Sequence, residues 1–200
     1  MSLIQWIDHS GPGKLGVMAK PGRQDQLEDD LREAQVDGMD ELICLMTPDE
    51  MDGSEREVAE KVGIKFRSFP IPDHGTPTAD VGTMDFLDAR LHELKQGKGV
   101  VFHCNSGRGR TTLMAASLLV MQGMDPDDAI QHVRGRRLVP VPDSKEQTEW
   151  VRQLARNLGH LVKADQPTEA RPAGYLKYAI AAGAAVLAAV GIWQWRKRAG

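Results

Sequence analysis

Hydrophobic and polar positions alternate along residues 12–162 in two rhythms, one helical and one extended. Leu27, Leu31 and Ala34 share a helix face, and 41–46 reads as a short buried strand closed by Thr47-Pro48. Residues 55–62 read as helix and 64–71 as extended chain. Met84, Leu87, Leu91 and Leu94 form one stripe of a long helix that stops at Gly97, and 99–103 is the next strand. Residues 111–121 are apolar nearly all round, which predicts a central buried helix. Asp125-Pro126 is an N-cap and first-turn pair for another helix. The last helix of this stretch starts near Ser144 and offers Trp150, Val151, Leu154, Leu158 and Leu161 to a core. Strands alternating with helices predict an α/β fold, a central, mostly parallel sheet flanked by helices.

The C-terminal pattern is different. Residues 176–195 are apolar except for Lys177 and Gln194, with Tyr175, Tyr178, Trp193 and Trp195 near the ends and Arg196, Lys197 and Arg198 following. Twenty helical residues span about 30 Å, the thickness of a bilayer core, and aromatic edges with a basic flank are what an anchor needs. A buried Ala-rich helix fits less well, because the run is apolar on every face and follows a polar, proline-containing stretch. The expected organisation is a folded unit over 1–162, a polar linker over 163–175, a transmembrane helix over 176–195 and a basic tail over 196–200. The N-terminus has no basic region followed by a long apolar run, so it does not read as a secretory signal.

Charge and cysteine content narrow the function classes. Residues 1–162 carry 19 basic and 26 acidic side chains (19 − 26 = −7), and the remaining 38 carry 6 and 2 (6 − 2 = +4). An acidic folded part gives no footprint for duplex nucleic acid, and no zinc-ligand spacing is visible. Two cysteines, Cys44 and Cys104, cannot make a disulfide framework.

The chemistry concentrates where the strand 99–103 meets the following helix: His103-Cys104-Asn105-Ser106-Gly107-Arg108-Gly109-Arg110-Thr111. A strand running through a Gly-containing loop into a helix N-terminus gathers backbone N–H groups and the positive end of the helix dipole, a site for an oxyanion. The same field favours a thiolate at Cys104 as a nucleophile. Arg110 follows at the distance where its planar fork can grip two phosphate oxygens, and Gly107 and Gly109 let the backbone turn without side chains in the way. A solitary cysteine is usually a small buried hydrophobe, and Cys44, in an apolar strand, fits that description. For a general acid the residues leave Asp73, Asp80 and Asp85 open. The last two sit at the start of a helix, where a carboxylate simply suits the dipole.

Residues 103–111 match the His-Cys-x5-Arg-Ser/Thr signature of cysteine-dependent protein tyrosine and dual-specificity phosphatases, which the chain resembles over roughly residues 12–162. The segment Phe69-Pro70-Ile71-Pro72-Asp73-His74-Gly75-Thr76-Pro77 is similar to the acid loop of the kinase-associated and mitotic-exit branch. The resemblance implies a protein tyrosine phosphatase-like fold. It implies a catalytic set of Cys104, Arg110, Asp73, His103 and Thr111, with Asn105, Ser106, Gly107, Arg108 and Gly109 holding the substrate. Cys104 attacks phosphorus, Asp73 protonates the leaving group and then activates water, His103 favours the thiolate, and Thr111 assists breakdown of the cysteinyl phosphate. Neither metal nor other cofactor is required, since loop dipoles and Arg110 supply the positive charge.

One departure concerns the second step. Related phosphatases often carry Gln-Thr-x-x-Gln at the last helix, and Asp143-Ser144-Lys145-Glu146-Gln147 keeps only the final Gln; Ser144 or Asp143 caps the helix instead. The expected substrates are phosphotyrosine and phosphoserine/phosphothreonine in proteins. Arg108, the basic run Arg134-Gly135-Arg136-Arg137 and the anchor keep a phospholipid or phosphoinositide phosphatase as the alternative. A non-catalytic phosphate-binding module is remote because both Cys104 and Arg110 are present, and a rhodanese-type sulfurtransferase fits the arginine position and the Asp73 segment poorly. With a C-terminal anchor and no signal to carry the folded unit across, the catalytic part is expected to face the cytoplasm, where reducing conditions protect a reactive thiolate.

Overall fold

The computed structural model describes residues 3–51, 53–135 and 144–164. Five strands, β1 (Gln5–Ile7), β2 (Lys14–Ala19), β3 (Glu41–Cys44), β4 (Lys65–Ser68) and β5 (Gly99–Cys104), form one sheet in the order β1-β2-β5-β3-β4. Only β1 runs antiparallel; β2, β5, β3 and β4 are mutually parallel. The helices are α1 (Leu27–Val36), α2 (Glu55–Lys61), α3 (Val81–Lys95), α4 (Gly109–Met121), α5 (Pro126–Gly135) and α6 (Lys145–Ala164). α1 packs on α2, while α4 touches α3, α5 and α6 and lies against β2 and β5. The mostly parallel α/β architecture read from the sequence is the one observed.

Burial follows strand position. β5 and β3 sit inside the sheet, and Leu42, Ile43, Cys44, Val100, Val101 and Phe102 are wholly buried, as expected of parallel strands covered on both faces. α4 is buried almost throughout, and Asp125 caps α5 by accepting the amides of Asp127 and Asp128 through Oδ1. Val151 and Leu154 of α6 enter the core, and Trp150 and Leu158 pack at its edge.

Several boundaries move. β1 and β2 have no counterpart in the hydrophobic pattern: β1 has three residues, and Gly16 interrupts β2. Gly16 is required because a Cβ there would lie 2.6 Å from Ile4 Cγ2 and 3.0 Å from the Trp6 ring. β5 extends one residue further, to Cys104, and α4 begins two residues earlier, at Gly109, so Arg110 belongs to the helix's first turn rather than to the loop. α6 runs to Ala164, two residues into the stretch read as linker. Among the described residues no helix is long and apolar enough to cross a membrane; the remaining linker residues 165–175, the apolar run 176–195 and the tail 196–200 lie outside them.

Phe102 is among the largest fully buried side chains. Phe102→Ala is expected to lower unfolding stability by about 3–5 kcal/mol, read from urea denaturation. A loss under about 1 kcal/mol would mean that β5 is not the centre of the core.

Candidate active site

The loop between β5 and α4 starts from a buried thiol: Cys104 closes β5 with 2% of its surface exposed. Asn105 and Ser106 are exposed, Gly107 is buried at φ 64°, Arg108 is exposed and Arg110 is buried again. A Cβ on Gly107 would stand 2.2 Å from the Met18 carbonyl oxygen, so the glycine is needed to seat the loop on β2. The Asn105 carbonyl accepts the Lys20 amide at 3.2 Å and Arg23 Nη2 at 3.3 Å, a second tie to the end of β2. Thr111 is buried, and its hydroxyl donates to the Arg108 carbonyl at 3.3 Å.

Arg110 is the most connected side chain of the site. Its Nη1 donates to Glu50 Oε2 at 2.6 Å and its Nη2 to Glu50 Oε1 at 2.8 Å, a two-pronged pair. Nη1 also donates to the Ile71 carbonyl at 3.1 Å and the Leu45 carbonyl at 3.4 Å, and Nη2 lies 3.1 Å from Asp73 Oδ1. Burial opposes the guanidinium charge, but the Glu50 hydrogen bonds and the nearby Cys104, Glu50 and Asp73 charges together hold its pKa above the ordinary arginine value. In return the Arg110 hydrogen bonds, helped by Thr47, hold the Glu50 carboxyl at about 2. Glu50 is fixed by a capping box, its Oε2 accepting both the amide and the hydroxyl of Thr47 at 2.9 Å.

Asp73 arrives on the loop after β4. Ile71 is wholly buried and anchors the loop, whereas the Asp73 side chain is 62% exposed, on a turn in which the Gly75 amide donates to the Pro72 carbonyl and His74 adopts φ 56°. His74 Nε2 lies 3.6 Å from Asp73 Oδ2. The N-terminal turn of α6 fixes the far side: Ser144 Oγ donates to the His74 carbonyl at 3.2 Å, and Gln147 Nε2 donates to the Gly75 carbonyl at 2.9 Å. Gln147 is buried, and a Cβ on Gly109 would lie 2.6 Å from its Oε1, so one side chain spans the acid loop and the start of α4. Ser144 caps α6 by accepting the Gln147 amide at 3.1 Å; Asp143 lies outside the described residues.

The other aspartates are elsewhere in purpose. Asp80 Oδ1 accepts the Thr83 amide at 2.9 Å as the N-cap of α3, and that bond above all lowers its pKa. Asp85 lies on the exposed side of α3. Arg134, in the last turn of α5, is half-buried, and Arg136 and Arg137 lie outside the described residues.

His103 points away from the loop. Successive strand residues face opposite sides of the sheet, so His103 and Cys104 diverge, and His103 shares its face with its register partner Cys44. Its Nε2 lies 3.0 Å from Glu55 Oε1, with both side chains buried. Cys44 is a core thiol, pushed up to about 12 by burial and then by the Glu55 charge. Neither Glu50 nor Glu55 was singled out by the sequence reading. Thr47-x-x-Glu50 is a capping-box pattern that could have drawn attention to the first; Glu55, one acidic residue in the first turn of a charged helix, carries no such signal.

Comparisons with known proteins give a family and a shared fold. The family model described as "polymorphic toxin system, DSP-PTPase phosphatase" matches residues 16–124. The effector protein HopD2 of Pseudomonas syringae pv. tomato is 42% identical over 59 residues, which are 30% of this chain and 12% of that protein. Cyclin-dependent kinase inhibitor 3 of Rattus norvegicus is 28% identical over 135 residues, covering 62% of this chain and 63% of the relative. The chain thus spans less than two thirds of either protein. Among solved structures, kinase associated phosphatase with its catalytic cysteine changed to serine superposes with a TM-score of 0.69 at 23% identity, over 78% of this chain and 95% of that one. Tk-PTP in its active form gives 0.65 at 26%, over 77% and 97%.

The Glu50–Arg110 pair has a defined pH signature. A carboxyl held at about 2 against its ordinary 4.5 contributes stability that is complete above 4.5 and is lost as pH falls through 2. Glu50→Gln should cost about 2 kcal/mol at neutral pH, and the gap to wild type should narrow on acidification below pH 4.5. Urea titrations at several pH values measure it, and a gap that widens in acid contradicts the pairing.

Proposed function

The chain belongs to the polymorphic toxin system DSP-PTPase phosphatase family, and from that premise we propose that it hydrolyses phosphotyrosine and phosphoserine/phosphothreonine monoesters in proteins through a cysteinyl-phosphate intermediate. The observation that carries the reading is the contact of Asp73 Oδ1 with Arg110 Nη2 at 3.1 Å, which joins a proton donor and a phosphate clamp at the mouth of the Cys104 loop.

In the first step the Cys104 thiolate attacks phosphorus, the S–P bond forms and the ester P–O bond breaks. Arg110 and the loop amides from Asn105 to Gly109 hold the non-bridging oxygens, where charge is greatest in the transition state. Asp73, exposed and one residue past the proline that orients it, gives its proton to the leaving oxygen. In the second step water attacks the cysteinyl phosphate, Asp73 takes the water's proton and inorganic phosphate leaves. Gln147, whose amide donates to the Gly75 carbonyl and whose oxygen lies against Gly109, is our candidate for orienting that water. The buried Thr111 hydroxyl assists departure of the thiolate.

A phospholipid phosphate is the second reading. Arg108, exposed at the loop, suits a second anionic group, and an anchor over 176–195, with residues 1–175 facing the cytoplasm, would bring the loop to a bilayer surface. The apolar run with aromatic edges and a basic flank supports that anchor.

Cys104→Ser should abolish turnover of an aryl phosphate while the protein still folds. Asp73→Ala should slow hydrolysis by roughly 10²–10⁴-fold, more for alkyl than for aryl leaving groups; retained turnover in Cys104→Ser dismisses the covalent mechanism. Phosphopeptides of all three types assayed beside phosphoinositides separate the two substrate readings. Full-length protein should resist carbonate extraction from membranes, whereas a chain truncated at Gly174 should be released with its activity intact. A full-length chain that stays in the soluble fraction removes the anchor.

A further inference from the structure

We propose that Cys44, Glu55 and His103 form a buried binding site for a thiophilic divalent cation of the zinc class, on the face of β5 opposite the nucleophile. Three separate elements build it: Cys44 ends β3, its register partner His103 comes from β5, and Glu55 is the first residue of α2. One thiol sulfur, one imidazole nitrogen and one carboxylate oxygen lie within 4.8 Å of one another. The residues are 0%, 2% and 0% exposed for Cys44, Glu55 and His103.

The polar atoms of this cluster are left unsatisfied without a further group. Both Glu55 oxygens and both His103 nitrogens are buried with no hydrogen-bond partner; the 3.0 Å approach of His103 Nε2 to Glu55 Oε1 is an ion-pair distance with the ring N–H off line. Buried polar atoms are nearly always partnered, so four unpartnered ones in one place call for a ligand. A cation answers three of them, both Glu55 oxygens and one His103 nitrogen. Sulfur, imidazole and carboxylate are the donors zinc takes, at about 2.0–2.3 Å each, so these atoms would draw together from their span of up to 4.8 Å to hold one ion. Glu55 bound through both oxygens would complete four donor atoms around the ion. Binding releases the thiol proton of Cys44, and any proton on the ligating nitrogen of His103, and needs no oxidant or other co-reactant. The ligands come from distant parts of the chain, so no short ligand spacing marks the site in the sequence.

The claim is independent of the phosphatase reading and is tested without turnover. Untagged full-length Cys104→Ser protein, which retains Cys44 as its one thiol, is titrated with cobalt(II), followed by zinc. The expected result is one bound equivalent with a near-ultraviolet thiolate-to-cobalt absorbance that zinc displaces. Adding Cys44→Ser should remove that absorbance, and adding Glu55→Gln should weaken binding by at least about tenfold. Cys44→Val serves as the second variant if Cys44→Ser lacks a cooperative thermal transition. Cobalt bound without the thiolate absorbance, absorbance that survives replacement of Cys44, or no binding by the folded Cys104→Ser protein overturns the site.

Discussion

A guanidinium buried to 2% exposure is the constraint around which this molecule is arranged. Leaving such a charge unpaired in the interior costs several kcal/mol, so every segment that reaches Arg110 has to bring an acceptor. The turn after β3 brings Glu50 and the Leu45 carbonyl, and the loop after β4 brings the Ile71 carbonyl and Asp73. Three stretches far apart in sequence therefore meet where α4 begins. The sheet order β2-β5-β3 makes the meeting possible, because it sets the C-terminal ends of parallel strands side by side.

The Cys104 loop was legible in the chain because its parts are adjacent in sequence. A strand, a cysteine, glycines, an arginine and a helix follow one another within nine residues. Asp73 was legible only through a resemblance, since an Asp between proline and glycine is equally a turn former. Glu50 and Glu55 were not seen, because their meaning lies in what they touch, Arg110 in one case and His103 in the other, and periodicity does not carry tertiary contacts. The helices announced themselves by their stripes. β1 and β2 did not: a three-residue strand and one broken by Gly16 give too few positions for a period to emerge. The helix start at Gly109 was misplaced because glycine is a poor helix former read alone, while Gln147 packed against it leaves no room for a side chain.

Gln147 illustrates how a pattern can be lost while a position is kept. The segment before it does not match the pattern expected of relatives, yet its amide reaches the Gly75 carbonyl and its oxygen lies against Gly109. Ser144, which replaces a threonine-containing turn, caps α6 and at the same time holds the His74 carbonyl. The acid loop thus depends on the last helix for its far edge, and the helix depends on the acid loop for part of its N-terminal packing.

The divergence of Cys104 and Cys44 to opposite faces of the sheet bears on how the protein meets peroxide. A sulfenic acid formed on Cys104 can be rescued by condensing with a nearby thiol, but Cys44, the only other cysteine in the chain, faces the opposite side of the sheet. Return to the thiol then falls to a small thiol arriving from solution, so the surrounding reductant pool sets how long such an oxidised state would last.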